Sequence, residues 1–298
     1  SGTKTMAYIP NSLLTHGVEI EFYGISVGTA QTACNNAGVR GCTITTDGTP
    51  NVDGEAVFAP MANCQSAYDS IKHVCETLVA AGAKINIDCG LHVHIGNALL
   101  NENVNSEQYT NTSIDYFMRT GGYHSDHQEP MDAIIVKDVA IRYAKSEKMP
   151  NGVPACLSKS RREGGHGYKW AVLTSVAALE TANTITELQN ASKMGRSEYS
   201  RKYSAINFLA WREGTIEFRQ HQGTLEVDKI WNWIQFIKNL FSQTINNRVS
   251  LATQTSVLDT PSQAPFRAGG RIIDQYNMMR QAGGSTTRDI MLVTGCSE

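Results

Sequence analysis

Gly17-Val18-Glu19-Ile20-Glu21-Phe22 is the run whose reading decides the fold. Its apolar residues alternate with acidic ones at period two, the signature of a strand with one face toward a core. Val18, Ile20 and Phe22 point one way, Glu19 and Glu21 the other. Glutamate is a poor strand former, and two on one face repel unless a cation lies between them. The same alternation recurs over residues 85–95 and 215–221. There His92 and His94 share a face opposite Leu91, Val93 and Ile95. Thr215, Glu217, Arg219 and His221 share one opposite Ile216 and Phe218. A histidine pair supplies neutral nitrogen ligands, and an arginine two residues from a glutamate sets a planar donor suited to phosphate. A half-exposed strand also has a polar outer face, so any one of these alternations is ordinary. Together the three predict a divalent-metal site that handles a nucleotide phosphate.

A fourth acidic segment runs Thr46-Asp47-Gly48-Thr49-Pro50-Asn51-Val52-Asp53-Gly54-Glu55-Ala56-Val57-Phe58-Ala59-Pro60. Asp-Gly marks a turn, and Glu55 to Phe58 reads as a short strand leaving it. Turn chemistry accounts for Asp53 without any ligand role. Carboxylate-rich sites suit Mg²⁺ or Mn²⁺, the latter tolerating a histidine. No Gly-x-x-x-x-Gly-Lys-Ser/Thr run is present, and Gly164-Gly165-His166-Gly167-Tyr168-Lys169 lacks that spacing and reads as a loop.

Around these strands, residues 64–81 place Ala67, Ile71, Val74, Cys75, Leu78 and Val79 on a helical stripe, with Gly82 as its stop. A second helix is predicted from about Val227 to Phe241, and a third within 168–189. Residues 101–113 and 190–202 read as loops. Strands mixed with helices, with no regular β-α-β rhythm, predict an α+β fold with a largely antiparallel sheet. The sequence has no internal repeat and no marked domain boundary, so residues 7–298 are taken as a single unit.

Bulk properties agree with a folded enzyme-sized domain. The 298 residues can bury a substantial core, and a net charge of −2 with well-mixed signs predicts no nucleic-acid or anionic-membrane partner. Seven cysteines, with no Cys-x-x-Cys pair, are expected to be mostly reduced and buried in a cytoplasmic setting. No apolar run approaches a membrane span, and residues 1–6 lack the apolar core of a signal peptide.

Four segments, in this order, resemble the amidoligase family of the glutamine synthetase and glutamate–cysteine ligase superfamily. They are residues 17–22, residues 47–60, Cys-Gly-Leu-His-Val-His-Ile-Gly (89–96), and Lys-Tyr-Ser-Ala-Ile-Asn (202–207) leading to Gly-Thr-Ile-Glu-Phe-Arg-Gln-His-Gln-Gly-Thr-Leu-Glu (214–226). The resemblance implies a curved, mainly antiparallel sheet flanked by helices, with the site on its concave face. It also implies an ATP- and Mg²⁺-dependent carboxylate–amine ligase that works through an acyl phosphate. By analogy with glutamine synthetase, Glu21, Glu55 and Asp47 would hold one ion, and Glu19, His92 and Glu217 the other. Asp47 stands where the relative has a glutamate. His94 and Arg219 would face the nucleotide phosphates or the acyl phosphate. Arg201 and Arg212 are further phosphate or carboxylate candidates, although solvated surface charge is the plainer reading of both, as it is for Arg161 and Arg162. Residues 97–200 and a helical extension over 242–298 would build the pocket for a carboxylate substrate and an amine co-substrate.

Two other classes compete. A hydrolase or oxygenase built on the His-x-His pair would want a glutamate four or five residues beyond His94, where Ala98 and Leu99 stand, or a helical His-Glu-x-x-His motif, which is absent. A non-catalytic protein that keeps the fold is the other.

Overall fold

The computed structural model describes residues 14–61, 63–96, 133–146, 175–191, 203–209 and 215–258. Their elements, in chain order, are β1 (Thr15–Phe22), α1 (Val27–Asn36), β2 (Cys42–Thr45), β3 (Gly54–Phe58), α2 (Gln65–Ala80) and β4 (Gly90–Gly96). After these come α3 (Ala133–Ser146), α4 (Val176–Thr181), α5 (Ile185–Ala191), β5 (Ile206–Asn207), β6 (Thr215–Gln222) and α6 (Val227–Leu258). Among the described residues six strands form one sheet, in the order β2-β3-β1-β4-β6-β5, and every pairing is antiparallel. The fold is therefore α+β with an antiparallel open sheet.

The apolar alternates of β1, β4 and β6 build the core. Val18, Ile20, Phe22, Leu91, Val93, Ile95, Ile216 and Phe218 are all at most 1% exposed and form one cluster with α2, α3 and α6. Phe218 lies against the ring of Tyr143 from α3 (5.3 Å) and of Phe241 from α6 (6.1 Å). With one face closed by helices, the chemistry-bearing side chains have only the other face to occupy. That face is not the half-exposed surface that alternation alone would suggest. Glu21, His92, His94 and Glu217 are themselves buried.

Several boundaries differ from the sequence reading. Residues 85–89 are not strand: Asn86 Oδ1 accepts the amides of Asp88 and Cys89 in a turn, and β4 begins only at Gly90. Val79 is 54% exposed, one position past the buried stripe of α2, which ends on Leu78. The stop at Gly82 holds, with φ at +102° and the amides of Gly82 and Ala83 closing onto Val79 and Leu78. Of the helix expected within 168–189, residues 168–174 lie outside the described residues and the rest is two short helices, α4 and α5, of which Ser175 caps the first through its hydroxyl. The last helix runs well past Phe241, to Leu258. Residues 101–113 and 164–169 and most of the 190–202 loop lie outside the described residues, as do Arg161, Arg162, Arg201 and Arg212.

The five described cysteines, Cys34, Cys42, Cys64, Cys75 and Cys89, form no disulfide, and all but Cys42 are buried. No helix among the described residues is long and apolar enough to cross a membrane.

Candidate metal centre

In an antiparallel sheet, residues directly opposite each other share a face, so the register alone assembles the site. Glu21 on β1 pairs with Glu55 on β3, and Glu55 with Thr45 on β2. Glu19 pairs with His92 on β4. His94, two residues on, pairs with Glu217 on β6, and Glu217 with Asn207 on β5. A band of carboxylates and imidazoles thus crosses the sheet from edge to edge.

Two sets of ligand atoms fall within 4.8 Å of one another: Glu21, Asp47 and Glu55, and Glu19, His94 and Glu217. The first is the triad that the resemblance implied. The second contains His94, where the resemblance put His92. His92 stands between the two sets, its Nδ1 3.1 Å from Glu19 Oε2 and 3.6 Å from Glu217 Oε1, and its Nε2 3.6 Å from Glu21 Oε1. His94 Nε2 lies 3.2 Å from Glu19 Oε1.

Each carboxylate has a fixed orientation. The Gly90 amide donates to Glu21 Oε2 (2.6 Å), and the Thr45 hydroxyl to Glu55 Oε1 (3.2 Å). Asp47 Oδ1 accepts the Thr49 amide (2.5 Å), so the turn that follows it also aims it. Asp53, by contrast, caps only the Gly24 amide (2.6 Å), which is turn chemistry as expected. Glu217 is gripped from both sides: Arg219 Nη1 donates to Oε1 and Asn207 Nδ2 to Oε2, both at 2.6 Å. The Arg219 guanidinium lies over the Tyr203 ring, 5.8 Å from its centroid.

His221 does not join this face. A bulge shifts the register of β6 between the partners of Leu91 and Val93, so that His221 pairs with Leu91. Its ring packs against Trp233 of α6 at 5.1 Å, on the core side. Alternation is a reliable guide only until an extra residue enters the strand.

Asn207 is the residue that sequence reasoning passed over. It lies inside the Lys-Tyr-Ser-Ala-Ile-Asn segment, yet a two-residue strand has no alternation to expose its role.

The electrostatics show what the site lacks. Burial pushes Glu55 up from an ordinary value near 4.5 to about 7, and the charges of Glu19, Asp47 and Glu21 add to the rise against an opposing pull from His92. Burial would raise Glu19 also, but hydrogen bonds from His92 and His94 overcome it and hold that carboxyl well below its usual range. Burial likewise opposes ionisation of Glu217, yet Arg219, then His94 and His92, hold it low. For His94 burial favours the neutral ring, but the hydrogen bond to Glu19 and the charge of Glu217 raise its pKa overall. The Glu19 and Glu217 side therefore carries its own cations. On the Glu21, Asp47 and Glu55 side three carboxylates converge with only His92, 3.6 Å from Glu21, opposing their charge in the described contacts, and protonating Glu55 relieves the repulsion.

The sign of the pH effect follows. With a folded pKa above the unfolded one, Glu55 contributes stability below about pH 4.5 that is lost as pH rises through about 7. Glu19 and Glu217, held low, act oppositely: their contribution is present at neutral pH and is lost in acid. Glu55→Gln is accordingly expected to raise the melting temperature of metal-free protein at pH 8 by a few degrees, equivalent to about 1 kcal/mol. The gain should vanish near pH 4, which thermal melts at the two pH values would check.

An all-oxygen triad suits a hard divalent cation such as Mg²⁺, and two carboxylates with one imidazole suit Mg²⁺ or Mn²⁺. The donor sets therefore fit the ions that the sequence suggested. Compared with protein-family models the chain matches none, and no curated protein aligns with it.

Proposed function

We propose that this protein is an ATP- and Mg²⁺-dependent carboxylate–amine ligase with a glutamine synthetase-like site. The observation that carries the reading is the pair of ligand triads on one sheet face, with His92 between them and Arg219 at the edge. Cross-strand pairing of two glutamates, Glu21 with Glu55, is unfavourable without a cation. Two neighbouring cation sites on a buried face suit the charge-neutralising task of phosphoryl transfer. The resemblance of four ordered segments to amidoligases supports the same class.

In this reading Glu21, Asp47 and Glu55 would hold one ion, and Glu19, His94 and Glu217 the other. Bound Mg²⁺ would neutralise phosphate charge and align the reacting oxygens. Arg219 brings a fixed planar cation to the second ion's edge, suited to an oxygen of the transferring group. The γ-phosphoryl group passes to a carboxylate oxygen of the acyl substrate as ADP leaves. The amine nitrogen then adds to the acyl carbon, phosphate departs with the C–O electron pair, and the nitrogen loses one proton.

Asn207 acts through Glu217 as a positioning residue. Asn207→Ala is expected to weaken Mn²⁺ binding at the Glu19, His94 and Glu217 centre by roughly 10- to 100-fold, with the other centre little changed. A Mn²⁺ titration followed by electron paramagnetic resonance would read it. The reaction itself is tested by screening carboxylate and amine pairs for ATP hydrolysis, with mass spectrometry for the amide. An amide that forms only with ATP and Mg²⁺ supports the ligase. If ATP with Mg²⁺ produces neither turnover nor a melting shift, a non-catalytic protein is favoured instead.

A further inference from the structure

Of the three carboxylates in the Glu21, Asp47 and Glu55 set, two stand on strands and one does not. Asp47 lies in the connection between β2 and β3, residues 46–53, most of which is exposed. Hairpin connections are usually shorter, and a long one samples many conformations unless it is tied down. An ion that had to order this loop as it bound would lose affinity by the entropy of doing so.

The loop is tied at two places. At its end, the Asp53 amide donates to the Phe22 carbonyl (2.9 Å) and the Asp53 carboxylate accepts the Gly24 amide (2.6 Å). Nearer Asp47, Asn51 has φ at +64°, a left-handed conformation that asparagine tolerates better than most residues. Its Nδ2 donates to Oδ2 of the buried Asp88 (2.9 Å), and its carbonyl accepts Asn86 Nδ2 (2.7 Å). Asn86 Oδ1 in turn accepts the amides of Asp88 and Cys89 (2.9 and 3.0 Å). The next residue in the chain, Gly90, donates its amide to Glu21. One short segment, residues 86–90, therefore grips the loop of Asp47 with two side chains and the carboxylate of Glu21 with a backbone amide.

We infer that Asn51, Asn86 and Asp88 are positioning residues: they latch the 46–53 loop to the 86–90 segment, bring Asp47 to Glu21 and Glu55, and so control whether that centre holds its ion. This rests on the two-metal reading above, and the test separates the two. Mn²⁺ titrations followed by electron paramagnetic resonance would be run in a Glu217→Gln background, which leaves the Glu21, Asp47 and Glu55 centre to be read alone. Asn51→Gly keeps the left-handed backbone and removes the side chain, whereas Asp88→Ala removes the acceptor and leaves the loop's sequence intact. Each is expected to weaken Mn²⁺ binding roughly 10-fold. Asp88→Asn, which keeps an acceptor oxygen, should stay within about threefold. In an Asp47→Ala background Asn51→Gly should add no further loss, because the latch acts through Asp47. Unchanged affinity in Asn51→Gly and Asp88→Ala, or an undiminished further loss without Asp47, would overturn the latch while leaving the ion in place. Unchanged affinity in Asp47→Ala, or no Mn²⁺ bound before any of these changes, overturns the triad itself and the latch with it.

Discussion

Glu217→Gln is expected to lower Mg²⁺-dependent ATP turnover by roughly 10³-fold or more with the fold intact. The substitution keeps the side chain's shape and a carbonyl that can accept from Arg219, but removes the negative charge that a cation needs. Glu217 is 5% exposed, so water cannot replace that charge. Arg219 does not become an isolated buried cation, because Glu19 and Glu21 also stabilise it. That is why loss of function should come without unfolding. Glu19→Gln should behave the same way, since it removes a carboxylate from the same triad. Turnover within about threefold of wild type, in either variant with a native circular dichroism spectrum, would sink the assignment of the centre.

The second large effect concerns the opposite side of the same strand. Phe218→Ala should cost about 3–5 kcal/mol of folding free energy. Phe218 is fully buried between Val93 and Ile206 on the neighbouring strands and the rings of Tyr143 and Phe241. Tyr143 cannot collapse into the gap without giving up the hydrogen bond that its hydroxyl donates to Gln220 (2.7 Å). The cavity therefore stays open, and the cavity penalty adds to the lost burial. Urea denaturation should show a lower midpoint with an unchanged slope. Because the side chain points away from the metal ligands, the folded fraction should still bind Mn²⁺. A loss under 1 kcal/mol would mean that β6 is not packed on α3 and α6 as described.

Much of this was legible from residue order alone, and the reason is the periodicity of strands. Three short alternations placed Glu19, Glu21, His92, His94 and Glu217 on one face, because a strand leaves its side chains only two directions. What alternation cannot give is register. That His92 and His94 both come within 4.0 Å of Glu19 and Glu217, so that either ring can serve that pair, depends on which residues lie opposite each other, and that came only from the pairing of β4 with β1 and β6. The bulge that turns His221 toward Trp233 is likewise invisible to a rule of period two. Four elements were not read, α1, β2, α3 and β5, and the last two show different reasons. The stripe Val136, Val139, Ala140, Tyr143 and Ala144 of α3 does follow helical spacing and could have been read. Strand β5 is only two residues long, and nothing local announces that Asn207 grips Glu217.

The central claim is that one sheet face holds two divalent cations. Counting Mn²⁺ ions bound per chain in the presence of ATP tests it most directly. The account predicts two for the wild type, one for Glu217→Gln and one for Glu55→Gln, with the double variant binding none. Fewer than two ions in the wild type, or a wild-type count in both single variants, would contradict it.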